Sequence, residues 1–214
     1  MTSTSPKPKC VILGGGGHAR VIIDCLRLSN VAEPWVILDP DARLWGSRVD
    51  EVLVLGGDDL LPRLRAEGIA FFTVGLGLGP RAKLFAAGLA AGLQAVTAIH
   101  PRATVSSRAK IGAGGQVFAA AVVNPGATIG ENCVINTGAI IEHDCVLADH
   151  VHVASGACLA GTVTIGEGAF IGAGSTIRQG LHIGAGALVG AGAVVVKSVA
   201  ADRTVAGVPA RELI

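Results

Sequence analysis

Tyrosine is missing from this chain, and Phe and Trp leave its aromatic share at 3%. That scarcity argues against an aromatic binding platform. Charge of one sign is missing too: Lys and Arg total 17 against 16 Asp and Glu, with no long like-charge run. Neither a nucleic acid nor an anionic membrane surface is the expected partner, which leaves a small molecule. No apolar run approaches the length of a spanning helix. Met1 to Lys9 reads as a short polar tail running straight into a strand, not as a signal sequence, so a cytoplasmic protein is expected. Cysteine is sparse, with Cys10, Cys25, Cys133, Cys145 and Cys158 scattered and no CxxC spacing. Buried reduced thiols are expected there, rather than disulfides or zinc ligands, and no metal site is expected.

What is abundant is glycine, 31 residues, and a repeat. Every sixth residue from Ile99 to Val195 is Ile, Leu or Val. A helix repeats its apolar face at about 3.6 residues and a strand at about 2. An unbroken period of six therefore means short strands that turn a corner after each hexapeptide, the mark of a parallel β-helix. The fourth residue after each aliphatic is usually small, as at Ala109, Ala121, Ala127, Cys133, Ala139, Cys145, Ala157, Ala169 and Ser175. Small side chains let a tight corner close, and one coil cannot bury its apolar face alone, so the coils must stack.

Residues 10 to about 97 alternate strand and helix signals instead. Strands are expected over Lys9 to Leu13, Val36 to Leu38, Val52 to Leu55 and Phe71 to Val74, and helices over His18 to Ser29, Asp58 to Glu67 and Pro80 to Ala91. This pattern makes a small α/β domain with a parallel sheet over 1–97, followed by the β-helix over 98–214. Ligands of such sheets lie at the carboxyl ends of the strands, so Gly14 to His18, Asp39 and Gly75 should converge. The Gly run offers amides and a helix N-terminus to phosphate oxygens, and Asp39 could accept from a ribose hydroxyl or a base. The same run also reads as a plain strand-to-helix turn. So short a segment cannot supply both halves of a dinucleotide domain, and one nucleoside diphosphate fits better than NAD.

The hexapeptide period resembles that of the hexapeptide-repeat acyltransferases, which implies a left-handed β-helix of about five coils, each built from three hexapeptides. The left hand is implied by the resemblance, since parallel crossovers are normally right-handed. The end, Ala206 to Ile214 (AGVPARELI), resembles that superfamily's closing segment and is expected to cap the last coil against edge pairing. More specifically, GGGGHARVIIDCLR, LDPDAR, VGLG, HPRATVSS and INTGAIIEHDCVLADHVHVASGACLAG together resemble the nucleotide-sugar N-acetyltransferases of bacterial glycan synthesis, close to the sialic acid O-acetyltransferase-like group and similar to the UDP-4-amino-sugar and GDP-perosamine N-acetyltransferases. The resemblance covers nearly the whole chain. It implies transfer from acetyl-CoA, the co-substrate, to the amino group of a nucleotide-linked 4-amino-sugar, in a homotrimer whose CoA groove runs between subunits.

Any one of six His would ordinarily be a surface or packed residue, but His143 stands in the matched context IIEHDC. An amine attacking a thioester must lose a proton, and imidazole titrates near working pH. The resemblance makes His143 that general base and Asp144 its orienter, with Glu142 as the alternative. It assigns His152 to acetyl-CoA near the thioester, Gly161 and Thr162 to the pantetheine region, Ala173 and Ala191 to main-chain CoA contacts, and Asn136 to the sugar. Gly16, Gly17, His18, Asp39 and Gly75 match nucleotide-sugar contacts. Pro40 departs from members with a second acid after Asp39, a role open to Asp41. O-acetylation of a sialic acid and a non-catalytic nucleotide-binding scaffold are the other readings. In the repeat's register Val153 points inward and His152 outward.

Overall fold

Residues 7–213 are described in the computed structural model; the first six residues of the expected Met1 to Lys9 tail and the last cap residue, Ile214, lie outside them. The chain divides into two compact units, one ending at Ala98 and the next starting at Ile99.

In the first unit β1 (Lys9–Leu13) is apolar on both faces after its first residue, as a central parallel strand covered on both sides must be. It runs into helix α1 (Gly17–Ser29), whose Ala19, Ile22, Ile23, Cys25 and Leu26 form one buried stripe. The helix stops at Asn30, which takes a left-handed backbone conformation and donates its N–H to the Leu26 carbonyl. Then follow β2 (Glu33–Leu38), β3 (Arg48–Val49), β4 (Val52–Gly56), α2 (Leu61–Ala66), β5 (Phe71–Val74), α3 (Arg81–Ala90) and β6 (Gln94–Ala95). Sheet order is β3-β4-β2-β1-β5-β6, parallel except for the β3/β4 pair. The sequence predicts one helix over 58–67, but Pro62 falls in its first turn and the segment opens as a 3-10 turn, Asp58–Leu60, before α2.

The second unit is a left-handed parallel β-helix. Its two-residue strands each pair with the third strand onward in the chain, one full coil away, and so form three flat faces. One face carries Val134–Ile135, His152–Val153 and Phe170–Ile171, the next Ile140–Ile141, Cys158–Leu159 and Thr176–Ile177, and the third Val146–Leu147, Thr164–Ile165 and His182–Ile183. The sixth-residue aliphatics and the small residues four positions later both face the interior, and in the middle coils nearly all are fully buried. Where the small phase carries Val151, Val163 or Leu181, the larger side chain is buried as well. Ile99, on the edge strand of its sheet, departs from the expected column and is 37% exposed. At the other end Thr204–Ala206 pairs with Leu188–Val189 and folds back against Arg211–Glu212, which uses up the sheet edge.

Candidate active site

Each coil turns at three corners, and residues one coil apart stack at the same corner. The corner between the second and third faces carries Pro125, His143 and Gly161 in one row and Gly126, Asp144 and Thr162 in the next. His143 Nδ1 lies 2.9 Å from Asp144 Oδ2, so Asp144, and not Glu142, orients the ring. A carboxylate on Nδ1 favours the tautomer with its proton there and leaves the Nε2 lone pair free to take one. Both side chains are exposed, so the pair faces solvent.

Glycines shape the space around this pair. A Cβ on Gly161, one coil above, would stand 2.5 Å from His143 Nε2, so only glycine lets the imidazole lie where it does. One coil below, a Cβ on Gly126 would overlap Asp144 Oδ1, and Gly126 itself has a φ of +80°. Asp144 and Thr162 are non-glycine residues that also take left-handed φ values. The Thr162 N–H donates to the His143 carbonyl at 2.9 Å, and its hydroxyl donates to the Gly161 carbonyl at 2.7 Å. Gly126 was missed by the sequence reading, although its place one coil before Asp144 was legible once the coil length was known.

The other β-helix candidates stand elsewhere. Ala173 and Ala191 are exposed and stacked at the corner between the first and second faces, and Asn136 immediately precedes that corner. His152 has the expected register, with Val153 inside, yet it is not exposed: 7% of its surface is accessible. Its ring meets Phe170 edge-on at 5.1 Å, and Nε2 is 3.4 Å from the Asn136 amide nitrogen. Within one chain the whole second face separates this group from His143.

In the first unit the predicted convergence is present. The Gly75 N–H donates to the Leu13 carbonyl at 2.7 Å, and a Cβ on Gly75 would collide with the Gly14 carbonyl, so the ends of β1 and β5 touch. Asp39, buried at the end of β2, accepts from the Gly15 N–H at 2.7 Å and the Asp41 N–H at 2.8 Å, one with each carboxylate oxygen. Its first task is thus to hold the Gly run against the next loop. Gly16 and Gly17 are exposed at the α1 N-terminus, with His18 half-buried beside them. No side chain caps that helix end, and open space surrounds both glycines, as an anion-binding turn requires. Asp41 is engaged by Arg43, whose Nε and Nη2 reach its carboxylate at 2.8 and 2.7 Å and hold it well below the usual carboxylate range, at about 2. Two residues here escaped the sequence reading. The Asp58 carboxyl is raised by burial and by the charges of Asp39 and Asp59. Trp45 donates its indole N–H to the Asp39 carbonyl at 2.8 Å. Among the described residues no group of three or more His, Cys, Asp or Glu is disposed to hold a metal ion, and no helix is long and apolar enough to cross a membrane.

Stacked hexapeptide coils with an oriented imidazole at a corner define the class: a β-helical acyltransferase, hence an enzyme. The model for bacterial transferase hexapeptide (six repeats) matches residues 126–161 and 162–197, and that for the PglD N-terminal domain matches residues 9–80. A variant of perosamine N-acetyltransferase from Caulobacter crescentus, solved with CoA and GDP-perosamine, is 38% identical with a TM-score of 0.90, over 96% of this chain and 97% of that one. The acetyltransferase domain of PglB from Neisseria gonorrhoeae, solved with acetyl coenzyme A, is 36% identical with a TM-score of 0.88, over 97% and 100%. WeeI from Acinetobacter baumannii is 27% identical with a TM-score of 0.77, over 95% and 99%. No curated protein matches the chain significantly. The chain belongs to the bacterial hexapeptide transferases that carry a PglD-type N-terminal domain, alongside perosamine N-acetyltransferase and the PglB acetyltransferase domain.

Proposed function

We propose that this chain transfers the acetyl group of acetyl-CoA to the amino group of a nucleotide-linked 4-amino-sugar, in the making of bacterial glycan precursors. The observation that carries the reading is the His143–Asp144 pair, solvent-facing and held at 2.9 Å, in a chain similar from end to end to a transferase crystallised with CoA and GDP-perosamine. His143 Nε2 takes the ammonium proton as the amine attacks the thioester carbonyl, and Asp144 stabilises the imidazolium that results. The thiolate of CoA leaves. Transfer is direct, within one ternary complex, and the burial of Cys145, the nearest thiol in sequence, in the coil interior supports this. Gly16, Gly17, His18, Asp39 and Gly75 receive the nucleotide part, Asn136 the sugar, and His152, Gly161, Thr162, Ala173 and Ala191 the acetyl-CoA.

We infer a homotrimer, as the family resemblance implies, and the spacing of the corners supports a shared site. The His143 corner and the Ala173/Ala191 corner flank a whole face of one prism, and two copies lying side by side would bring one corner of each kind to a single acetyl-CoA. The test is an acetyl-transfer assay with GDP-, UDP- and dTDP-linked 4-amino-sugars, with free sialic acid as control. Acetylated nucleotide sugar is the expected product. Turnover on sialic acid alone would establish O-acetylation instead.

A further inference from the structure

Trp45 stands on the loop after β2, and its backbone is tied down on both sides. Its own N–H reaches the Ala42 carbonyl at 3.3 Å, and the N–H of Gly46 reaches the Val54 carbonyl of β4 at 2.9 Å. The indole N–H is pinned to the Asp39 carbonyl at 2.8 Å. The far edge of the ring runs beside Gly57, where a Cβ would meet Cζ2 at 3.6 Å. A large apolar ring fixed this firmly still leaves 48% of its surface in water. The chain's other Trp gives the contrast: Trp35, early in β2, is 41% exposed, but its ring face is covered by the Lys9 ammonium at 3.3 Å.

Position along the sheet gives the ring its use. The neighbouring strand ends run β5, β1, β2, β4 and carry in turn Gly75, the Gly run with the α1 N-terminus, Asp39, and Gly57 with Asp58. A diphosphate on the α1 N-terminus and a ribose at Asp39 direct the base onward to the β2/β4 end, which is where the indole lies. We propose that Trp45 is the stacking platform for the nucleobase of the nucleotide-linked substrate, held in orientation by its hydrogen bond to Asp39. Any base has a π-face to offer, so the platform supplies affinity for a nucleoside diphosphate as a class. This inference rests on the nucleotide-sugar reading above.

With Trp35→Phe, Trp45 is the only remaining Trp. Titration of this trimmed protein with GDP, UDP and dTDP is expected to quench its emission saturably. By calorimetry Trp45→Ala should weaken nucleoside diphosphate binding about ten- to a hundred-fold. Trp45→Phe, which keeps a ring, should recover most of it. Ribose 5-phosphate, which lacks a base, should bind wild type and Trp45→Ala alike, as should acetyl-CoA. Nucleotide binding that is tight in wild type and within two-fold in Trp45→Ala, with no quenching, would overturn the platform while sparing the nucleotide reading. Failure of wild type to bind any nucleoside diphosphate would overturn both. If Trp45→Ala does not fold, the quenching titration and Trp45→Phe still decide.

Discussion

At His143 two hydrogen-bonding atoms and one missing atom set the geometry: Asp144 holds Nδ1, and Gly161 leaves the space that Nε2 overlies. Removing the proposed base, as His143→Ala or Asn, should lower turnover by about 10² to 10⁴ with the melting temperature unchanged. Wild-type turnover in the Asn variant would take His143 out of the mechanism. Gly161→Ala is the subtler probe. Gly161 has no positive φ, so its backbone accepts alanine, and the nearest conflict falls on the imidazole. Displacing the ring by about 1 Å should cost about 10² in kcat, and the added methyl, in the region given to the pantetheine, should also raise the KM for acetyl-CoA. A rise in that KM at unchanged kcat would mean that Gly161 serves the cofactor and not the base.

At the scale of elements, the same side chain often serves a turn first and a ligand second. Both Asp39 oxygens already hold backbone N–H groups across the ends of β1 and β2. Asp39→Ala would leave those donors unsatisfied, so it should cost about 1–3 kcal/mol of stability as well as weaken nucleotide binding, with acetyl-CoA affinity intact. Calorimetry with each ligand, and a denaturant melt, separate the two effects. The coil interior is less forgiving. Val153 is fully buried between Ile135 and Ile171, and Val153→Asp would bury a carboxylate among aliphatics, so soluble protein should be lost. His152→Ala, one residue away, should leave a folded protein, because its ring lies outside the coil. Thiols report on both units. Burial pushes Cys10 up and Cys25 up to about 12, so near neutral pH both remain protonated and should resist iodoacetamide until the protein is unfolded. The half-buried Cys158 is the one expected to react first.

For the whole molecule, the proposed site between subunits would make assembly part of the chemistry. Light scattering at assay concentration should give a trimer, and an active monomer would sink the shared site. Mixed assembly is the sharper measurement. Subunits with His143→Ala keep a sound Ala173 corner, and subunits with Ala173→Glu keep a sound base. Each preparation alone should be nearly inactive, and refolding the two together should restore activity, since some interfaces then combine one good corner from each. No recovery from verified mixed trimers would place the whole site on one chain.

The period of six determined the prism, its register and, from Val117 to Val195, its inward column, because each coil buries its side chains against the coils next to it and any slip exposes the entire row. The strand and helix order of the first unit was equally local, a matter of apolar runs and a Gly-rich turn. What lay beyond sequence were effects between residues that the fold alone makes neighbours. The choice of Asp144 over Glu142 depended on a left-handed φ at the corner, and the burial of His152 on Phe170 one coil above. The exposed Trp45 ring depended on a hydrogen bond to Asp39 across a loop whose path no periodicity encodes. Repetition writes long-range contacts into the spacing of the sequence, and an irregular loop does not, so its contacts exist only once the chain has folded.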